Sequence, residues 1–235
     1  MSNEATINNL FGYKMFQSKI ENYKKINKKI TPLIEKFVEE KPGRFATTTD
    51  INGKETSTSF DGPDAMDNLH TREEYSDLFQ ELNKHIVTYV QALGYDLKKF
   101  DINVVKAWST YTGKDQHIAL HRHTASHFST VYYVRADDMG DLQIEEEQGA
   151  KLGLYIPPTD QYFSSWNQLN FASYRIKAET GNFIIFPSTL MHKTLDNTKD
   201  KQRISISSDI LLTMKEGVSA EHCIPHPKGW KTLKF

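Results

Sequence analysis

Six short runs of β-type residues, separated by turn signals, fill the chain after Lys98 and narrow its fold more than any other feature. They are Asp101 to Tyr111 (DINVVKAWSTY), Ser126 to Val134, Leu142 to Glu145, Ser173 to Ala178, Asn182 to Pro187 and Gln202 to Leu212. Each is rich in the β-branched and aromatic residues that suit a pleated, half-buried surface. Thr112-Gly113-Lys114-Asp115, Asp137-Asp138-Met139-Gly140, Thr180-Gly181 and Asn197-Thr198-Lys199-Asp200 punctuate them. No single run can bury its own apolar face, so together they predict a β-sandwich or barrel.

The first third has a different period. From Phe16 to Glu40 the apolar residues Phe16, Ile20, Tyr23, Ile30, Ile34 and Phe37 recur at helical steps among lysines, with Pro32 predicting a break or kink. Lys41-Pro42-Gly43 ends the pattern. A second helix is signalled by Thr71 as cap with Glu74 three residues on. Its apolar face is Tyr75, Leu78, Phe79, Leu82, Ile86, Val87 and Val90, and Leu93-Gly94 closes it. The class is therefore α+β. With 235 residues and 38% hydrophobic content, the expectation is one domain: a helical support over 1–100, a β core over 101–215 and a tail over 216–235. Asn9 to Tyr13 reads as an extended lead-in and Thr47 to Asp67 as loop or edge strand. Lys151 to Phe171, irregular and aromatic, reads as a lid or an edge elaboration.

Composition removes several classes of function. A net charge of -1 argues against a long nucleic acid or an anionic membrane as main partner. No apolar run approaches the ~20 residues that span a bilayer. The N-terminal residues show no basic stretch followed by an apolar one, as a secretory signal would. Cys223 is the lone cysteine, which rules out an internal disulfide and fits a cytoplasmic setting; any metal would be held by nitrogen and oxygen.

Four of the nine histidines (His117, His121, His123 and His127) lie in QHIALHRHTASHFSTVYYV, Gln116 to Val134. In an extended chain residues two apart share a face, so His121 and His123 can converge on one ion. On a helix the pairs His117/His121 and His123/His127 would share a face instead; the following FSTVYYV favours the extended form. His192, just past FIIFP, is placed for an adjacent strand to bring it to the pair. Arg203 and Ser205 share a face of the next strand-like run, and a guanidinium fork beside a hydroxyl suits a carboxylate.

HRHTASHFSTVYYV, GNFIIFPSTLMHKTL and QRISIS, in this order and spacing, resemble the 2-oxoglutarate- and iron(II)-dependent oxygenases. The group in question has HxH, then Ser-x-Val-Tyr-Tyr-Val, then Gly-x-x-x-x-Phe-Pro-x-x-x-x-His, then Arg-x-Ser, and occurs in phages and marine bacteria. The resemblance runs from about Leu10 to Trp230. It implies a double-stranded β-helix, a jelly-roll or cupin-like barrel, with Fe(II), 2-oxoglutarate and O2 as metal, cosubstrate and oxidant. It implies a dioxygenase, most simply a hydroxylase, releasing succinate and CO2 from an unidentified substrate. His121 and His192 would be metal ligands. Arg203 with Ser205 would bind the distal carboxylate of 2-oxoglutarate, and Tyr132 or Tyr133, whichever faces inward, would add a hydrogen bond.

One position departs from the family's usual HxD/E…H triad: residue 123 is histidine. His123 is read as the third ligand, with Asp115, Asp141 or Glu145 as alternatives, and His117 and His127 as peripheral. Two other functions fit parts of the pattern. One is a cupin-like three-histidine enzyme that does not use 2-oxoglutarate; the other is a non-catalytic metal- or carbohydrate-binding β-sandwich.

Overall fold

The computed structural model describes residues 12–40, 57–58, 67–145, 163–166 and 173–234. Nine strands and two α-helices are assigned among them. In chain order they are β1 (Phe16–Lys19), α1 (Tyr23–Glu40), β2 (Ser57–Thr58), α2 (Ser76–Ala92), β3 (Phe100–Thr112) and β4 (Phe128–Arg135). There follow β5 (Leu142–Glu145), β6 (Ser173–Ile176), β7 (Asn182–Pro187), β8 (Met191–Thr194) and β9 (Arg203–Met214). Nearly all of the Lys151–Phe171 stretch, and most of Thr47–Asp67 and Asn9–Tyr13, lie outside the described residues.

Two antiparallel sheets result. The larger has the order β1-β7-β4-β9-β3-β2, the smaller β6-β5-β8. They face each other across an apolar layer. Tyr133, Ile184 and Phe186 from the large sheet pack with Leu142 and Ile176 from the small one. The expected barrel is not closed: among the described residues no regular ladder joins the two sheets, and β8 gains only an isolated bridge between His121 and His192.

Strand alternation sorts the side chains of the large sheet. Ile204, Ile206, Ile210 and Leu212 of β9, with Phe128, Tyr132 and Val134 of β4, point outward. They form one buried cluster with Ile26, Ile30 and Ile34 of α1 and Leu78, Leu82 and Ile86 of α2. The opposite face holds Val131 and Tyr133, which join the layer between the sheets.

Three sequence expectations change here. Phe16–Lys19 is a strand, not the start of α1, because it completes the large sheet by pairing with β7 (Phe16 with Ile185, Lys19 with Asn182). Pro32 lies within α1 without ending it. Its side chain and that of Lys28 are exposed, so the carbonyl that loses its helical partner can turn to water. Thr71 does not cap α2: it ends a short 3-10 turn, where its hydroxyl donates to the carbonyl of Asn68, and α2 begins at Ser76. The far end of α2 does close as expected. Gly94 takes φ 85°, and the amides of Gly94 and Tyr95 donate back to the carbonyls of Gln91 and Val90. No helix among the described residues is long and apolar enough to cross a membrane.

Tyr132 faces the helices, where its hydroxyl donates to Oδ1 of Asn27 at 2.6 Å, and Asn27 in turn donates to the carbonyl of Val134 at 2.7 Å. Both side chains are buried. Tyr132→Phe leaves the Asn27 carbonyl unpaired, so chemical denaturation should show a loss of about 1–3 kcal/mol. Metal affinity should not change, since Tyr132 lies on the side of the sheet away from the histidines.

Candidate metal centre

The segment bearing His121 and His123 has no strand of its own. It is held against β8 and the turn between β7 and β8 by backbone bonds. His121 and His192 exchange two N–H···O bonds of 2.9 Å, and the amide of His123 donates to the carbonyl of Ser188 at 2.9 Å. This docking brings one ring nitrogen from each of His121, His123 and His192 to within 4.8 Å of the others. The ring centroids stand 4.2 Å (His121–His192), 5.2 Å (His121–His123) and 5.3 Å (His123–His192) apart. Phe186 meets the ring of His192 edge-on at 4.8 Å.

Hydrogen bonds fix the tautomers. Nδ1 of His121 lies 2.7 Å from the carbonyl of Ala119, and Nδ1 of His192 lies 2.8 Å from that of Leu190. A carbonyl only accepts, so each Nδ1 carries the proton and each Nε2 keeps a lone pair, as a metal ligand requires. Burial lowers the pKa of both. For His192 burial, reinforced by His121, takes it to about 3. Three neutral imidazoles on one side of an ion, at bonds of ~2 Å, leave other positions open. The donor set fits Fe(II).

The alternative carboxylates lie elsewhere. Asp115 sits in a turn at φ 60° with its amide on the carbonyl of Asn197. Asp141 accepts from the amide of Ala178, and Glu145 pairs with Lys193 at 2.8 Å. His117 lies 2.8 Å from Asp196, and His127 accepts from the amide of Leu212. None of these five joins the histidine cluster.

Asp209, which no sequence motif singled out, does approach it. Its Oδ1 lies 2.6 Å from Nδ1 of His123, and Ser129 donates to the same oxygen at 3.2 Å. The available signal was period: Asp209 lies six residues after Arg203 and so on the same face of β9. Trp108 on β3 was also missed; its ring stands 5.5 Å from that of His123.

A second pole forms around Arg203. Its guanidinium is buried, and its terminal nitrogens donate to neutral acceptors: the carbonyls of Met139, Gly140 and Leu195 and the hydroxyls of Thr112 and Thr194. Among the described residues no carboxylate comes within ion-pair distance of it. Register sets Ser205 beside Tyr133 on β4 and Thr110 on β3. The hydroxyl of Tyr133 is buried without a hydrogen-bond partner among the described residues. Burial pushes its pKa up to about 12 against the opposing pull of Arg203, so it remains a donor. Tyr132, on the opposite face, is excluded from this pole. His192 and Thr194 share a face of β8 and lie about 7 Å apart along it, which sets the two poles within reach of one five-carbon chain.

A cavity of about 760 Å³ is lined by Gly140, Thr194 and Leu195, which hold Arg203, together with Arg175, Lys177 and Lys193. The clustered histidines do not line it. Gly140, at φ 90°, has no room for a side chain: a Cβ would stand 2.7 Å from Nη1 of Arg203 and 2.2 Å from the carbonyl of Leu195.

Residues 106–209 match the family described as "Putative 2OG-Fe(II) oxygenase". No curated protein matches the sequence. Among solved structures, the chain is similar to a prolyl-4-hydroxylase from Pseudomonas putida (12% identity, 85% of this chain and 93% of that one covered, TM-score 0.53). It is also similar to HygX from Streptomyces hygroscopicus, solved with nickel and 2-oxoglutarate bound (11%, 84% and 82%, TM-score 0.51). AviO1 from Streptomyces viridochromogenes gives 11%, 91% and 92%, with a TM-score of 0.54. At such identities the likeness is one of fold, the double-stranded β-helix.

Two outcomes test this geometry. In chelated, metal-free protein His192 binds its proton far less readily folded than unfolded (about 3 against 6.5). Its contribution to stability is therefore complete above pH 6.5 and is lost as pH falls toward 3; denaturation midpoints should fall over that window, with a shallower slope for His192→Gln. Gly140→Ala should displace the Arg203 guanidinium and lower the thermal midpoint. The matched segment contains the three clustered histidines, Tyr133, Arg203, Ser205 and Asp209, so the part of this chain that is similar to the 2-oxoglutarate- and iron(II)-dependent oxygenases is the part that carries the site.

Proposed function

We propose that His121, His123 and His192 hold Fe(II), that Arg203, Ser205 and Tyr133 receive the distal carboxylate of 2-oxoglutarate, and that the enzyme hydroxylates its substrate. The observation that carries the cosubstrate assignment is a buried hydroxyl without a partner among the described residues, close to a buried guanidinium that none of their carboxylates meets at ion-pair distance. A buried hydroxyl without a partner costs about 1–3 kcal/mol, and a buried cation without an anion costs more. A carboxylate between Tyr133 and Arg203 relieves both. Two of the present Arg203 bonds are long, 3.3 Å to Leu195 and 3.4 Å to Thr112, and are the ones a charged acceptor would replace.

When bound, iron and 2-oxoglutarate supply the oxidising chemistry, with O2 consumed and succinate and CO2 released. The chain's own residues orient and enclose. The Nδ1 bonds to Ala119 and Leu190 aim the imidazoles of His121 and His192, Phe186 covers one ring edge, and the Arg203 pole fixes the far end of the cosubstrate. Hydroxylation is supported by the prolyl-4-hydroxylase among the neighbours of the fold.

Tyr133→Phe is the direct test. The lost hydroxyl has no partner among the described residues, so stability should hold or rise, while the affinity for 2-oxoglutarate under anaerobic conditions should fall roughly tenfold to a hundredfold. A cupin-like enzyme that ignores 2-oxoglutarate would show no binding to weaken. A non-catalytic binding protein would release no succinate from the Fe(II)-loaded protein with any candidate substrate.

A further inference from the structure

We infer that Asp209 supplies, through His123, the negative charge that a ligating carboxylate brings to the usual triad, and so sets metal affinity without touching the metal. This rests on the reading of the three histidines as ligands.

The three histidines are not backed alike. His121 and His192 each use Nδ1 on a backbone carbonyl, whereas Nδ1 of His123 meets a carboxylate at 2.6 Å. The one histidine that stands where the family pattern has Asp or Glu is thus the one joined to an acid. An imidazole donating to a carboxylate is a stronger electron donor at its other nitrogen than one donating to a carbonyl. The negative charge is moved outward by one ring rather than lost.

The surroundings hold that carboxylate in place. Asp209 is 7% exposed, and among the described residues its one ion-pair partner is His123. Ser129 lies opposite Asp209 in the β4–β9 register and donates to the same oxygen. Ser188 lies 3.2 Å from Ser129, and Ser126 lies 2.8 Å from Ser188. Since Ser129 has one proton and the carboxylate is the stronger acceptor, Ser129 gives that proton to Asp209. A buried anion with no lysine or arginine beside it is costly unless a cation compensates it. A dication on the far side of His123 does so.

The test measures Co(II) binding by chelator competition, with the metal-free protein checked for fold by circular dichroism. Asp209→Asn keeps the shape and removes the charge, and should weaken Co(II) binding tenfold to a hundredfold. His123→Asp puts a carboxylate on the metal itself and removes the imidazole through which Asp209 acts, so Asp209→Asn in that background should cost far less affinity than in the wild type. This loss of the Asp209 effect is the outcome a merely structural role would not produce. Equal weakening in both backgrounds, or no effect in either, overturns the inference. So does X-ray absorption of the Co(II)-loaded wild type that fits a carboxylate oxygen of the protein in place of a third imidazole. Should Asp209→Asn fail to fold, the wild-type apoprotein still decides: the Nδ1 proton of His123 should resonate well downfield of those of His121 and His192, and a match among the three sinks the idea. His121→Ala and His192→Ala probe the underlying reading separately, because unchanged Co(II) binding in both would refute the histidine centre whatever Asp209 does.

Discussion

The strand Arg203–Met214 is hydrogen-bonded along both edges, to Phe100–Thr112 on one side and to Phe128–Arg135 on the other. With neither edge free, its register cannot slip, and a slip of one residue would exchange its two faces. One face sends Ile204, Ile206, Ile210 and Leu212 into the layer under the helices. The other carries Arg203, Ser205, Ser207 and Asp209. The apolar face anchors the register by burial, and the polar face inherits its alignment. Both poles of the site depend on that division.

The polar face contains two buried side chains of opposite charge on the same strand, too far apart along it to neutralise each other. Arg203 is satisfied by carbonyls and hydroxyls, and Asp209 by His123 and Ser129. Hydrogen bonds to neutral groups offset part of the cost of burying a charge, but not all of it. The residual imbalance has opposite sign at the two ends. It favours an anion near Arg203 and a cation beyond His123, which matches the charges of a dicarboxylate cosubstrate and a ferrous ion. The helices and the large sheet make this arrangement tolerable, because the apolar cluster they share is separate from the layer that holds the site.

Much of this was legible in the residues. Six β-type runs between turn signals correspond closely to β3 through β7 and β9, since side-chain period and turn chemistry act locally. Local signals failed where a partner distant in sequence decided the conformation. Phe16–Lys19 shares helical spacing with the apolar residues of α1, yet pairs with β7 as a strand. Thr71 and Glu74 have the spacing of a capping box, yet two short turns intervene before α2. Tyr132 and Tyr133 differ by one position and lie on opposite sides of a sheet, a choice that only the packing of α1 against β4 made.

By itself the sequence determined the class of the fold, the HxH pair with a later histidine, and the arginine that could face an organic acid. Those features depend on residue type and on spacings of two to a few residues, which the covalent chain enforces. Tertiary structure alone decided that His192 bridges to His121, that the hydroxyl of Tyr133 lies near Arg203 without a partner among the described residues, and that Asp209 backs His123 across 86 positions of sequence. Such contacts are products of strand order and register. No local pattern carries them, because the chain segments that meet are brought together only when both faces of β9 are buried.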